Sequence, residues 1–193
     1  VVERAIMARH ERHSATLDTE SYYRWQVAAV QVRGKTIAYY TKPGMFLAGE
    51  LDPAVVLLAE VADIQPPDTV LVLNSGAGVA GVIAAQLAVS GHVHVADGNA
   101  LAVEATRRTL AANGVANATV YASAGTTHMP EDLTAAVALI RLPKGKLPAL
   151  QLLRDAFHAV RPGGHIYLAG GNEEGIKTCL RYLAELCGEV NVL

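Results

Sequence analysis

The sequence predicts an α/β fold, a doubly wound and mostly parallel sheet preceded by an N-terminal β-hairpin. Three observations predict it. From Thr69 onward, short apolar strands alternate with helical stretches of roughly 10–15 residues, a spacing that demands crossovers because hairpins cannot join parallel neighbours. The first of these strands runs into a glycine-rich turn that opens a helix. The 193 residues, 51% hydrophobic and 18% charged, can bury a single core without disulfide or metal staples.

The elements follow in order. Residues 1–20 are polar and read equally as a helical arm or a disordered tail. Their His10-x-x-His13 spacing lacks a third ligand and reads as a solvated face. Residues 21–193 read as one domain that includes a hairpin over 22–40, with strands Val27–Val32 and Thr36–Tyr40 around Arg33-Gly34-Lys35. Trp25 reads as its anchor. Asp52-Pro53 starts a helix, an N-cap with proline at the first helical position, and Val55, Leu58 and Val61 share a face before Pro66-Pro67. Strand Thr69–Asn74, helix Val79–Val89 and strand Val93–Asp97 come next, then a helix from Leu101 that stops at Asn113-Gly114. Ala118–Ala122 and Ala135–Leu142 are further strands. Leu150, Leu153, Phe157 and Val160 mark a helix ending at Arg161-Pro-Gly-Gly164, before strand His165–Ala169. Ile176, Leu180 and Leu183 mark a last helix, and Glu189–Leu193 begins a sixth strand of the sheet.

Composition excludes several classes. Sixteen basic against 18 acidic residues leave a formal charge of −2, too balanced for disorder or for holding nucleic acid by bulk charge. No apolar run approaches the roughly 20 residues of a membrane span, and no secretory signal is visible. Cys179 and Cys187 form no CxxC or Cys/His cluster, which fits a reducing cytoplasm. His92 and His94 alternate with Val93 and Val95, the pattern of a half-polar strand face.

In doubly wound sheets ligands bind beyond the carboxyl ends of the strands. The first strand of the sheet ends in Asn74-Ser-Gly-Ala-Gly78. Gly76 and Gly78 permit a tight turn and close approach of a ligand, and the helix that follows offers unpaired N–H groups. Asp97, at the tip of the next strand, is placed to accept hydrogen bonds from the ribose hydroxyls of an adenosine. Gly76-x-Gly78-x-x-Gly81 fits the dinucleotide fingerprint as well as the glycine turn of S-adenosylmethionine (SAM) enzymes, so the glycines leave NAD and SAM open.

The flanking segments resemble the class I SAM-dependent methyltransferases of the small type, which include the guanine-N2 methyltransferases of small-subunit ribosomal RNA. Tyr22-Tyr23 and the strands before Thr41-Lys-Pro-Gly-Met-Phe46 are similar to that family's opening hairpin and Gly-x-Phe turn. Leu51-Asp52 with Leu57-Leu58 resembles its next helix, and Val70–Gly78 its glycine loop. Val95-Ala-Asp-Gly-Asn-Ala100, with Leu110-Ala-Ala-Asn-Gly114, resembles its second motif. The resemblance implies a Rossmann-like fold and a SAM site drawn from Gly44, Phe46, Asn74, Ser75, Gly76, Ala77, Gly78, Asp97, Gly98 and Asn99. Asp97 would take the ribose hydroxyls and Asn99 lie near the adenosine. Gly44 and Phe46 would close over the site, although Phe46 reads equally as core.

The chain departs from that pattern. Val72 stands where the family has an acid, Asn74 where it has glycine, and the region of Ala124 lacks its third acid. Amine methyltransferases carry Asn-Pro-Pro-Phe or -Tyr after the fourth strand: the Asn oxygen and a backbone carbonyl accept the amine's protons, and the aromatic ring stacks on the base. Here Arg141-Leu142-Pro143-Lys144 takes that place, and arginine has no acceptor. The segment resembles the non-catalytic half of two-domain guanine-N2 enzymes, whose Pro-Lys-x-Lys is followed by a Gly-x-Asn turn. Arg141, Lys144 and Lys146 read either as a basic rim for RNA phosphates or as a solvated loop. Three functions are therefore carried forward: a SAM-dependent ribosomal RNA methyltransferase, an inactive relative that binds RNA or a partner, and an NAD-dependent oxidoreductase.

Overall fold

The computed structural model describes residues 23–45 and 50–192; Phe46 and the arm over residues 1–20 lie outside them. The elements are β1 (Gln26–Val32), β2 (Lys35–Thr41), α1 (Pro53–Val61), β3 (Thr69–Leu73), α2 (Val79–Leu87), β4 (His92–Asp97), α3 (Ala100–Ala112), β5 (Ala118–Ala122), β6 (Ala135–Arg141), α4 (Lys146–Ala159), β7 (Val160–Ala169) and α5 (Ile176–Cys187). The first two strands form an antiparallel pair, and the other five a parallel sheet in the order β5-β4-β3-β6-β7. This is the doubly wound architecture expected from the spacing of the apolar runs. Its switch point lies between β3 and β6, which are neighbours in the sheet although β4 and β5 come between them in the chain.

Both faces of the central strands are covered. Val70 and Val72 of β3 face one core with Val55, Ala59, Val82 and Ile83 of α1 and α2, while Leu71 and Leu73 face another with Leu152, Leu153 and Ala156 of α4. A strand buried on both sides must be continuously apolar, as these residues are.

The hairpin turns on Arg33 and Gly34, both with positive φ (50° and 71°), as a two-residue turn between right-twisted strands requires. Arg33 also caps the end of α1, its guanidinium donating to the carbonyls of Ala59 at 2.7 Å and Ala62 at 2.5 Å. Along β2, the Tyr40 N–H donates to Thr109 Oγ1 (3.0 Å), and Asn113 exchanges hydrogen bonds with both backbone groups of Ala38. These bonds tie the free side of β2 to α3 and bring Thr41–Met45 to the carboxyl end of the sheet.

Two expectations are corrected. Helix α4 ends at Ala159, and Val160 already belongs to β7, paired with Ala135. The register then slips between Ala135 and Val137, so that Arg161-Pro-Gly-Gly164 is a bulge within the strand and not the gap before it. Gly164 sits so close to the backbone of Ala136 that a Cβ would lie 2.6 Å from its carbonyl oxygen. The sixth strand over Glu189–Leu193 is also absent: residues 189–192 follow Gly188 as irregular chain, with Val190 packed on the second core and no strand beside them among the described residues.

On β4, His92 and His94 face β5, where His92 Nε2 shares a hydrogen bond with Thr119 Oγ1 (2.9 Å) and His94 Nδ1 with Tyr121 Oη (3.0 Å). Burial, aided by the neighbouring His92, pushes the His94 pKa below its ordinary 6.5. The unfolded chain therefore takes up this proton first, and the contribution of neutral His94 to stability is complete above pH 6.5 and lost as pH falls below it. Urea unfolding at pH 7 and pH 5.5 is expected to show lower stability in acid, and His94→Gln a smaller difference; an unchanged difference would assign the acid sensitivity elsewhere.

Candidate functional site

Asp97 closes β4 at the carboxyl end of the sheet and is 5% exposed. One carboxylate oxygen accepts the Gly76 N–H (2.9 Å) and the other the Asn99 N–H (2.8 Å). Each oxygen retains a further lone pair. Burial is the larger influence on this group and raises its pKa above 3.8, against the two N–H donors that favour the anion. A carboxylate so placed gains from any added hydroxyl donor.

The glycine turn beside it leaves backbone open to the cavity. Asn74 adopts the left-handed conformation (φ 60°), which asparagine tolerates better than other residues with a Cβ, so it can replace the family's glycine. Its Nδ2 donates to the Arg141 carbonyl (3.0 Å), a bond that spans the switch point. Gly76 also has positive φ, and a Cβ there would meet no protein atom within 4 Å. Its open face belongs to a cavity of about 240 Å³ whose wall includes Thr41, Met45, Leu51, Asp52, Val55, Asn74, Gly76, Ala77, Asp97, Asn99, Ala102, Arg141, Pro143 and Lys144.

Of the residues expected at the site, Asn74, Gly76, Ala77, Asp97 and Asn99 are on this wall. Others stand in the framework behind it. Ser75 is buried against Thr106, with their hydroxyls 3.0 Å apart. A Cβ on Gly78 would lie 2.9 Å from Thr106 Cα, and one on Gly81 3.2 Å from Val95, so both glycines serve helix packing. Gly98 faces Ala124, and Gly44 abuts Leu101 while its carbonyl lies 3.4 Å from Asn99 Nδ2. Asn99 itself caps α3 by accepting the Leu101 N–H at 2.9 Å.

The segment after β6 departs furthest from expectation. Arg141 does not join a basic rim: it is 7% exposed. Its Nε donates to Asp52 Oδ2 (2.5 Å), one terminal nitrogen to Glu174 Oε1 (2.8 Å), and the other to the Leu142 carbonyl. Removing a partner from so enclosed an ion pair typically costs about 3–5 kcal/mol, which explains why the side chain is held inward. Burial opposes ionisation of Glu174, but the Gly171 N–H and Arg141 outweigh it and keep the carboxyl below its usual range. Leu142 is fully buried, whereas Lys144 and Lys146 are exposed. Asp52 thus has two tasks, capping α1 through the Ala54 N–H (2.9 Å) and fixing Arg141. Sequence reasoning found only the first, and it missed Glu174 altogether.

A larger groove of about 1,560 Å³ runs between α1, β7 and α5. It has a mainly apolar lining beside the edge of β7 and includes neither the turn at Gly76 nor Asp97, so the smaller cavity is the candidate site. Among the described residues no cluster of three or more His, Cys, Asp or Glu side chains has metal-binding geometry, and no helix is long and apolar enough to cross a membrane.

The chain is similar to known proteins over most of its length. Residues 36–193 match the family model described as "Methyltransferase small domain". The chain is 31% identical over 166 residues to the ribosomal RNA small subunit methyltransferase C of Ectopseudomonas mendocina, covering 84% of this chain and 49% of that protein. It is 38% identical over 145 residues to the protein of the same name from Stutzerimonas stutzeri, covering 72% and 41%. Among solved structures, the T. thermophilus 16S rRNA methyltransferase in complex with AdoMet and guanosine aligns with a TM-score of 0.74 at 21% identity, over 86% of this chain and 48% of that one. The M. jannaschii TYW2 in complex with AdoMet aligns with a TM-score of 0.59 at 13% identity, over 85% and 74%. These structural likenesses establish the fold. The chain spans about half the length of the curated relatives it matches.

The glycines of the turn separate framework from cavity wall. Gly78→Ala forces a methyl group into the α3 backbone as well as straining φ, and is expected to lower unfolding free energy by about 2–4 kcal/mol. Gly76→Ala carries only the conformational strain, about 1–2 kcal/mol. Urea denaturation of both variants checks the order, and a larger loss at Gly76 would contradict the division.

Proposed function

The chain belongs to the methyltransferase small domain family, and from that membership we propose that it is a SAM-binding methyltransferase domain acting on ribosomal RNA. The observation that carries the reading is the buried Asp97 carboxylate, on the wall of a cavity and beside the open face of Gly76. Family membership, and not the glycine pattern, separates this reading from a dinucleotide oxidoreductase.

The residues present fit an adenosyl group. Asp97 would accept the ribose hydroxyls with the lone pairs that Gly76 and Asn99 leave over. The backbone of Gly76 and Ala77 would border the ligand closely, and Asn74 and Asn99 add polar groups to the wall. Bound SAM supplies a methyl group already activated on sulfonium, so the protein's task is to hold an acceptor in line with it and exclude water. Lys144, at the rim, is placed to meet an anionic acceptor. The relatives named for ribosomal RNA methylation support RNA as that acceptor.

One observation favours a second reading, a domain that binds SAM without transferring its methyl group to a base amine. Where an amine enzyme presents an asparagine oxygen, this chain presents a guanidinium tied to Asp52 and Glu174, which supplies donors only.

Thermal unfolding tests the ligand. At a concentration a hundredfold above its Kd, SAM or its demethylated product is expected to stabilise the protein by about 2.7 kcal/mol, a rise of roughly 5–10 °C in Tm. NADH is expected to give no rise. Asp97→Ala should lose the ligand-induced rise whatever its own Tm. Stabilisation by NADH alone, or a full SAM response in Asp97→Ala, would overturn the assignment. Transfer of a labelled methyl group from SAM to ribosomal RNA then supports the first reading, and SAM binding without transfer the second.

A further inference from the structure

Beside the cavity lies a group of side chains that the cofactor reading does not use. Trp25, Ala77 and Leu101 pack against a small cluster of Met45, Ala102 and Ala105. Met45, Ala77 and Ala102 also form part of the cavity wall, so the indole is anchored one side-chain layer from the site. Trp25 is therefore the hairpin anchor expected of it, and it does more.

Two cations are held on its ring. Lys42 Nζ lies 5.4 Å from the ring centroid and the Arg108 guanidinium carbon 5.0 Å, both within the range of cation–π attraction. Lys42 Nζ is also 5.9 Å from the ring centroid of Tyr23, a residue that is 71% exposed. The adjoining Arg24 and Arg107 are exposed too. Glu104 pairs with Arg108 at 2.8 Å with both side chains about 40% exposed (41% and 43%), a weak pair that a phosphate can compete for, and Lys42, Arg24 and Arg107 leave the neighbourhood positive. In a chain of net charge −2, this is a local concentration of positive charge interleaved with aromatic rings.

That combination matches what a single-stranded nucleic acid offers. Phosphates need cations, and splayed bases need exposed ring faces. Cations already positioned by an indole lose less side-chain freedom when they bind. We propose that Tyr23, Lys42 and Arg108 form a docking surface for single-stranded RNA, with Lys42 and Arg108 on phosphates and Tyr23 stacked on a base, beside the cavity wall at Met45. The inference rests on the reading of ribosomal RNA as acceptor and gives that acceptor a surface. It also supplies a basic face in place of the one that buried Arg141 cannot join.

Fluorescence anisotropy of the full chain with a labelled single-stranded RNA of about 12 nucleotides, across a series of salt concentrations, tests it. The double variant Lys42→Gln/Arg108→Gln is expected to bind more weakly and to reduce the slope of log affinity against log salt by about 1.4, or about 0.7 for each phosphate that is no longer neutralised. Tyr23→Ala should weaken binding roughly tenfold with the slope unchanged. All variants should keep the wild-type SAM-induced rise in Tm, which shows that fold and cofactor site are intact. If the wild type binds RNA and the variants bind it equally well, the surface is wrong while the RNA reading stands. If the wild type binds no RNA, both fall. Equal affinity for inorganic polyphosphate, with no effect of Tyr23→Ala, would overturn the proposal in favour of a surface for any polyanion, such as an acidic protein.

Discussion

One carboxylate, Asp97, joins the parts from which the cavity is made. It ends a buried strand, receives the backbone N–H of the glycine turn at Gly76, and receives that of Asn99 at the start of α3. Hydrogen bonds to a charged acceptor contribute about 1.5–3 kcal/mol each, enough to hold the turn and the helix in fixed relation. Burial works in the opposite direction and makes the anion costly, which is why the pKa stays raised. The carboxylate is thus held by two backbone donors in a buried setting, where any further hydroxyl donor would favour the anion.

Around this fixed point the two sides of the cavity behave differently. On the cofactor side, small residues and open backbone leave room, and the hairpin, tied to α3 through Thr109 and Asn113, brings Met45 over the wall. Where β6 ends, Arg141 draws together the N-cap of α1, the end of β6 and the turn that carries Glu174. An ion pair of this kind is sensitive to loss of any member. It commits the guanidinium to Asp52, Glu174 and the Leu142 carbonyl.

Much of this was legible in the sequence. The parallel sheet followed from apolar runs buried on both faces, and the Gly76–Asp97 pairing from two motifs on successive strands. What was not legible depends on contacts distant in the chain. Arg141 lies 89 residues from Asp52 and 33 from Glu174, and no local pattern foretells that the three meet, so Arg141 was read as a surface cation. Gly78 and Gly81 carry the same signature as Gly76 but face Thr106 and Val95, because a glycine's need for space is the same whether a ligand or a helix fills it. At Arg161-Pro-Gly-Gly164, residues that commonly end a helix instead form a strand bulge, fixed by the pairing of Val160 with Ala135. Phe46 lies outside the described residues.

The most direct measurement is the NMR titration of the Asp97 side-chain carbonyl carbon, with and without S-adenosylhomocysteine. The expected result is a pKa above 3.8 in the free protein that falls when the ligand's ribose hydroxyls donate to the anion. A titration unmoved by saturating ligand, or ligand binding with no change at this carbon, would contradict the assignment of Asp97 as the group that grips the adenosyl moiety.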